Sequence, residues 1–161
     1  DEHGWTCDCI RCREVGHNDN EPETVNLDIE TYEAGGGTEH FISFEDFEQD
    51  ILVGFCRLRF PNDPVRKELE DAAVVRELHV YGSQVGVGAG ADDKEGLVDK
   101  HQHRGYGKRL IAKAEELAVD GGYDKLAVLS GIGVRQYYRE KLGYKQDGPY
   151  VSKRLASKSQ P

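Results

Sequence analysis

The chain has 161 residues and carries 30 acidic against 21 basic side chains, a formal net charge of −9 at pH 7. This length accommodates one domain with a hydrophobic core, and the acidic balance argues against nonspecific binding to nucleic acid by the chain alone. The apolar runs are far shorter than the roughly 20 residues of a membrane-spanning helix, and no signal-peptide pattern opens the chain. We therefore expect a cytoplasmic protein with no membrane partner.

A cysteine cluster near the N-terminus indicates a metal site. Its members are Cys7, Cys9 and Cys12. This spacing lets three sulfurs reach one tetrahedral ion at about 2.3 Å each, and clustering without matching partners elsewhere favours a metal over disulfides. We predict a structural zinc ion in an arm of residues 1–24, with free thiols in a loose arm as the alternative. The candidates for the fourth ligand are His3, His17 and Cys56.

Alternating apolar and polar residues predict four strands in the first half of the chain. They cover residues 25–32, 40–46, 51–60 and 73–82. The second and third form an antiparallel pair around an acidic turn, and the glycines at 35–37 break the first strand. A Gly- and Asp-rich segment follows at 82–100, where we expect a mobile loop.

The second half of the chain alternates helices and strands. An apolar stripe predicts a helix over 104–122, which ends at Gly121 and Gly122. A buried strand at 124–131, a helix ending at Gly143 and a strand at 149–155 follow. Because a strand–helix–strand unit requires a parallel neighbour, we expect an α/β fold with a mixed sheet.

The sequence QHRGYG, residues 102–107, opens the first long helix. Glycines at 105 and 107 would leave backbone N–H groups facing outward at the positive end of the helix dipole, which suits a diphosphate. Arg104 and Lys108 add positive charge. The segment lacks the spaced glycine and hydroxyl residue of a Walker motif, and it is not a G-x-G-x-x-G dinucleotide fingerprint.

This segment resembles motif A of the GNAT acetyltransferases, Q/R-x-x-G-x-G/A, which clasps the pyrophosphate of acetyl-CoA. The segments CIRCREVG, VRELHVYG, HRGYGKRL, SGIGVRQYYREKLGY and DGPYVSKRL together resemble the C-terminal acetyltransferase domain of the elongator catalytic subunit family. The resemblance implies a mostly antiparallel central sheet flanked by helices over residues 25–155, with a disordered tail at 156–161.

The same resemblance implies a function. Members of that family use acetyl-CoA to form a carboxymethyl group on the wobble uridine of tRNA, so acetyl-CoA and tRNA are the expected ligands. The family's radical SAM half, which carries an iron–sulfur cluster and S-adenosylmethionine, is absent from this sequence. The sequence therefore resembles a C-terminal half that either stands alone or is cut from a longer protein, with a radical SAM domain as a possible partner. Without that half, the domain could at most bind or slowly hydrolyse acetyl-CoA. The segment 82–100 would be either a plain linker or a gate at the acetyl-CoA entrance.

Three residues are candidates for catalysis. Glu77 is either a solvent-facing strand residue or a general base beside the acetyl group, and His79 shares its face. Tyr137 and Tyr138 are about 100° apart on a helix, so only one can face the site. By resemblance that one protonates the departing thiolate or holds the thioester. The predicted contacts to acetyl-CoA are Leu78, His79, Val80, Gln102, His103, Arg104, Gly105, Tyr106, Gly107, Lys108, Ser130 and Gly131.

Two other functions compete with this one. In the first, the cofactor pocket is vestigial and a stripe of basic residues holds tRNA for a separate partner. That stripe would consist of Arg11, Arg13, Lys153 and Arg154. In the second, the chain is a conventional GNAT enzyme that acetylates protein lysines or small amines.

Overall fold

The computed structural model describes residues 7, 9–18, 21–81 and 105–156. The predicted loop at 82–100, the candidates His3, Gln102, His103 and Arg104, and residues 157–161 of the predicted tail lie outside this part of the chain. The helices are α1 (Ile10–Arg13), α2 (Tyr106–Asp120) and α3 (Arg135–Leu142). The strands are β1 (Asn26–Ala34), β2 (Gly37–Asp46), β3 (Ile51–Pro61), β4 (Ala72–Val80), β5 (Lys125–Val128), β6 (Lys145–Asp147) and β7 (Tyr150–Arg154).

The described strands form one sheet in the order β1-β2-β3-β4-β5-β7-β6. Every neighbouring pair is antiparallel except β4 and β5, which α2 joins as a crossover. The predicted mixed, mostly antiparallel sheet with flanking helices is therefore confirmed. In the described ranges, no helix is long and apolar enough to cross a membrane.

Two details of the sheet differ from the sequence prediction. Gly37 begins β2 instead of breaking a strand, because Gly35 and Gly36, with φ of 51° and 72°, form the tight turn of a β1–β2 hairpin. The strand β6 was not predicted, because three polar residues carry no detectable period. The division into an arm (1–24), a domain (25–155) and a tail (156–161) stays a prediction.

The main hydrophobic core lies between α2 and one face of the sheet. The predicted apolar stripe of α2 supplies Leu110, Ile111, Ala114 and Ala118, each at most 1% exposed, while Leu117 is only partly buried. The sheet contributes the alternate residues that face this helix. The fully buried ones include Ile42, Phe44, Cys56, Leu58 and Val75. This packing holds the first turn of α2 against the end of β4.

The opposite face of the sheet, called the polar face here for its charged groups, carries a buried carboxylate beside apolar residues such as Phe55 and Val74. Glu39 on β2 is 2% exposed, and its Oε1 accepts hydrogen bonds from Arg59 Nη1 at 2.8 Å and Arg76 Nη1 at 2.6 Å. Arg59 also donates to the backbone oxygens of Ala34 and Gly35, which closes the β1–β2 hairpin against β3.

We predict that Glu39→Gln lowers the free energy of unfolding by about 2 kcal/mol, because charge-assisted bonds to two guanidinium groups are lost from a buried position. Urea unfolding followed by circular dichroism measures the change. The matched control is Glu30→Gln on exposed β1, which should stay within about 0.5 kcal/mol of the native chain. Equal stability of both variants would contradict the prediction.

The cysteine-bearing arm is attached to the polar face near the β2–β3 turn. Here the structure has a short helix, α1, followed by a 3₁₀ turn at Val15–His17, where the sequence indicated a loop. Arg13 pairs with Glu45 and with Asp50, the latter at 2.5 Å between Nε and Oδ1. These ion pairs attach the arm to the sheet.

Candidate active site

The strands β4 and β5 separate after four paired residues, and a cavity lies where they part. The two strands pair only over Ala72–Val75 and Lys125–Val128. On its other side β4 carries an extra residue, because Arg57 pairs with Glu77 whereas Leu58 pairs with Val75, which leaves Arg76 as a bulge. Such a bulge increases local twist and re-aims the side chains that follow. Leu78 and Val80 line a cavity of about 610 Å³ here.

The first turn of α2 borders the same cavity. Gly105, Gly107 and Lys108 line it together with Leu78 and Val80. Gly105 is the N-cap of the helix, with φ of +70°, a left-handed conformation that suits glycine. The first N–H groups of a helix have no intrahelical acceptor, and the helix dipole is positive at this end. The predicted anion-binding turn and the cavity are therefore contiguous.

Gly107 has no side chain at a point where one would narrow the cavity. A Cβ atom at this position would lie 3.6 Å from Val80 Cγ2 and 3.8 Å from the hydroxyl of Tyr137. A larger side chain would therefore extend into the space between β4 and α3. The absence of a side chain leaves a channel from the helix terminus to the tyrosine.

Both tyrosines line the cavity, so the expectation that only one can face the site is wrong: Tyr138 borders the cavity from the core, whereas Tyr137 is partly exposed. Tyr137 is 38% exposed, and Tyr138 is 4% exposed, packed edge-on against Tyr144. Burial raises the pKa of both phenols, and it does so much more strongly for Tyr138. Both hydroxyls are thus protonated at neutral pH and are available as hydrogen-bond donors.

Glu77 and His79 lie on the opposite face of β4 from the apolar cavity lining. Glu77 Oε2 is 3.2 Å from Arg57 Nε, and Glu77 Oε1 is 3.2 Å from His79 Nε2. The side chains of Glu77 and His79 thus share a face, as the alternation of a strand predicts. The structure brings them to the edge where β4 and β5 part, and not among the residues lining the cavity.

Three further predicted contacts, Tyr106, Ser130 and Gly131, do not line the cavity. Tyr106 is 3% exposed, and its ring packs in the core against Phe44 at a centroid distance of 4.7 Å. Ser130 and Gly131 lie in the link between β5 and the 3₁₀ turn at Ile132–Val134, outside the residues that line the cavity.

The structure adds residues that sequence reasoning did not single out. Val134 lines the cavity at the start of α3. Beneath the tyrosines, Glu115 Oε1 on α2 accepts hydrogen bonds from Tyr144 Oη and Lys153 Nζ, both at 2.9 Å. Glu115 lies 29 positions from Tyr144 and 38 from Lys153 in the chain, so no local pattern indicates that they meet.

The three N-terminal cysteines form a compact cluster. The sulfur atoms of Cys7, Cys9 and Cys12 all lie within 4.8 Å of one another and are exposed. Hydrogen bonds from the backbone of Cys12 and from the neighbouring thiols lower the pKa of Cys9 to about 7. A tetrahedral zinc ion with bonds of about 2.3 Å places its sulfurs about 3.8 Å apart, so the cluster could hold a metal ion. Cys56, in contrast, is buried in the core, and burial raises its pKa to about 12.

The fold and the cavity agree with a known family. The sequence model of the acetyltransferase (GNAT) family matches residues 8–144. The chain therefore belongs to the GNAT family and carries a GNAT acetyltransferase domain.

Within that family, the chain is a homologue of the elongator catalytic subunits. It is 48% identical over 163 residues to the tRNA uridine(34) acetyltransferase of Methanocaldococcus infernus, covering 96% of this chain and 29% of the relative. It is 48% identical over 159 residues to Elongator complex protein 3 of Drosophila melanogaster, covering 94% of this chain and 28% of the relative. The predicted resemblance is confirmed, and the chain spans less than a third of the length of these relatives.

A solved structure agrees with this assignment. The archaeal Elp3 of M. infernus with an N-terminal deletion superposes with a TM-score of 0.81 at 47% identity, covering 96% of this chain and 37% of the solved chain. The described residues thus have the fold of the corresponding part of Elp3.

Proposed function

We propose that this domain binds acetyl-CoA in the cavity between β4, α2 and α3. The observation that carries the proposal is the contiguity of the first turn of α2, with Gly105 and Gly107, and the cavity lined by Leu78 and Val80. The free N–H groups and Lys108 would hold the diphosphate. The apolar lining suits the pantetheine arm, and Gln102, His103 and Arg104 are proposed to complete the diphosphate contacts.

The tyrosines supply the chemistry at the other end of the cavity. We assign Tyr137 as the acid, because its hydroxyl faces Gly107 across the cavity while Tyr138 is packed in the core. When water or another nucleophile attacks the thioester carbonyl, the C–S bond breaks. The Tyr137 hydroxyl then gives its proton to the departing thiolate. Glu77, at the opposite face of β4, is proposed to orient or deprotonate the nucleophile.

The activity on tRNA is named for relatives that are much longer than this chain. The relatives are named for tRNA uridine(34) modification, and we propose that this domain supplies acetyl groups for the same reaction on the tRNA wobble uridine. A radical SAM domain, elsewhere in the same protein or in a partner, would provide the radical step. Its iron–sulfur cluster and S-adenosylmethionine would lie outside this chain. Location in the cytoplasm stays a prediction.

Isothermal titration of the native chain with acetyl-CoA tests the proposal. We expect one site per chain, and much weaker binding of acetyl-pantetheine, which lacks the diphosphate. Equal affinity for the two compounds would exclude the first turn of α2 as the diphosphate site. No binding of either would overturn the proposal.

We further propose that the cysteine cluster holds a structural zinc ion, with His17 or His3 as a candidate fourth ligand. Three soft thiolate donors at this separation favour zinc over hard cations. The ion would hold the arm in shape next to the ion pairs of Arg13.

We predict that the native chain carries one zinc ion, and that Cys9→Ser retains less than about a tenth of it, because two thiolates do not make a closed site. Elemental analysis of the purified proteins measures the content. Cys56→Ser is the matched control, since Cys56 lies in the core and should leave the zinc content unchanged. Full zinc content in Cys9→Ser would contradict the proposal.

A further inference from the structure

A row of aromatic rings crosses β2, β3 and β4 on the polar face of the sheet. Phe41 stacks on Phe55 with a centroid distance of 5.1 Å and an interplanar angle of 27°. Phe55 in turn stacks on His79 at 5.4 Å and 25°. Arg57 lies over both phenylalanine rings at 5.8 Å. The rings are the cross-strand neighbours that the register of these strands produces.

The row continues through His79 to Tyr81. The imidazole stacks on Phe55 and also lies nearly parallel to the ring of Tyr81, at a centroid distance of 6.1 Å and an interplanar angle of 22°. The side chain of His79 is nevertheless 53% exposed. In the part of the chain that the structure describes, β4 has no strand partner on its β5 side after Val75. Among the described residues, the imidazole is therefore partly accessible along the β5 side of β4, where no strand pairs with it.

This edge adjoins the proposed acetyl-CoA cavity. Leu78 and Val80, the two chain neighbours of His79, line the cavity on the other face of β4. A ring stacked on His79 would thus lie across a single strand from the thioester, at the point where β4 and β5 part. An acceptor bound elsewhere on the polar face would be separated from the cavity by the paired strands of the sheet.

The polar groups around His79 favour an uncharged heterocycle over a phosphate. Glu77 is 3.2 Å from both the imidazole and Arg57, so it orients the ring and offsets the nearby positive charge. A carboxylate has about four acceptor positions, so Glu77 can accept a further hydrogen bond. Uracil presents an N3–H donor on its pairing edge, whereas cytosine has no hydrogen at N3. Aromatic rings on the face of a sheet commonly form the binding site for unstacked RNA bases.

We propose that an unstacked uracil base of RNA stacks on the imidazole of His79, and that Glu77 accepts a hydrogen bond from the N3–H of this base. This inference rests on the proposed function and specifies how that site would receive its substrate. His79 is thereby a positioning residue, and the specificity for uracil resides in Glu77. Another segment of a longer protein covering this edge is the competing occupant.

Fluorescence anisotropy with a labelled RNA anticodon stem–loop tests the proposal. Three RNAs that differ only at the wobble position are compared: uridine, cytidine and an abasic nucleotide. Loss of one stacked base costs roughly 1–3 kcal/mol, so we expect the native chain to prefer the uridine RNA over the abasic RNA by about tenfold. We expect a smaller preference for uridine over cytidine, because only the N3–H bond is lost.

The variants separate stacking from a general structural effect. His79→Ala should lose the preference for uridine over the abasic RNA, and His79→Phe should keep it, because phenylalanine retains the ring. Glu77→Gln should mainly lower the preference for uridine RNA over cytidine RNA. The preference for uridine RNA over abasic RNA should change less. Tyr32→Ala is the matched control, since Tyr32 is an exposed aromatic residue on the edge strand β1, outside the ring row.

Two outcomes would overturn the proposal: no preference for uridine by the native chain, including no RNA binding at all, or an unchanged preference in His79→Ala. The second would show that uridine is recognised elsewhere on the chain. The first would be the result if this edge is instead a docking site for another segment of a longer protein. Titration of the native chain with acetyl-CoA separates these failures from failure of the proposed function. If acetyl-CoA binds and the uridine preference is absent, only the assignment of His79 and Glu77 is wrong.

Discussion

Gly105→Glu is expected to weaken acetyl-CoA binding by about 100-fold, because a carboxylate next to a bound diphosphate adds like-charge repulsion of several kcal/mol. A Cβ at this position meets no heavy atom of the described residues within 4 Å, so the side chain causes no clash. The measurement is isothermal titration with acetyl-CoA.

Gly122→Glu is the matched control for this effect. Gly122 follows the other end of α2, also has a positive φ (+87°) and also has open space around its Cβ position. Both variants incur a similar backbone strain of about 1–2 kcal/mol, which thermal unfolding records. Only Gly105→Glu should lose acetyl-CoA affinity. An equal loss of acetyl-CoA affinity in both variants would show that helix strain causes the effect. It would contradict the assignment of the first turn of α2 as the diphosphate site.

Tyr137→Phe is expected to reduce the rate of acetyl-CoA hydrolysis by about 100-fold, within the range of a lost general acid, while the Kd for acetyl-CoA changes less than about twofold. Release of free thiol measures the rate, and isothermal titration measures the Kd. Because burial raises the pKa of Tyr137, its hydroxyl stays protonated through neutral pH. The rate of the native chain should therefore not fall between about pH 7 and pH 9, below the usual tyrosine pKa of about 10.

Tyr138→Phe provides the comparison for this result. Tyr138 contacts the core through its ring, and the variant retains that ring, so we expect a loss of less than about fivefold in rate. The reverse order of effects, with Tyr138→Phe the slower enzyme, would assign the acid to Tyr138. Equal and small reductions of the hydrolysis rate in both variants would show that neither tyrosine acts as the acid.

Local sequence patterns predicted most of the elements of this fold. The strands β2, β3 and β4, the helix α2 and its apolar stripe, and the end of α3 at Gly143 all follow from period, turn residues and glycine caps, which act within a few residues. The same local information indicated the anion-binding first turn of α2 and the cysteine cluster. The strand β6 was missed, because its three polar residues gain their structure only by pairing with β7.

Pairing across strands decided the arrangement of the site. The two adjacent tyrosines, Tyr137 and Tyr138, are equivalent in the sequence, and only the packing of α3 distinguishes the exposed ring from the buried one. The bulge at Arg76 arises from the register of β3 and β4 and determines which residues of β4 face the cavity.

The amino-acid sequence by itself determined the α/β class, most of the elements, the family resemblance and the residue types at the helix terminus and in the arm. Only the tertiary structure decided that β4 and β5 part after Val75, that Glu77 and His79 face away from the cavity, and that His79 joins a row of rings. The reason is physical: periodicity and capping depend on neighbours in the chain, whereas strand register, the separation of β4 from β5 and cross-strand ring stacking depend on contacts between residues that are distant in the chain.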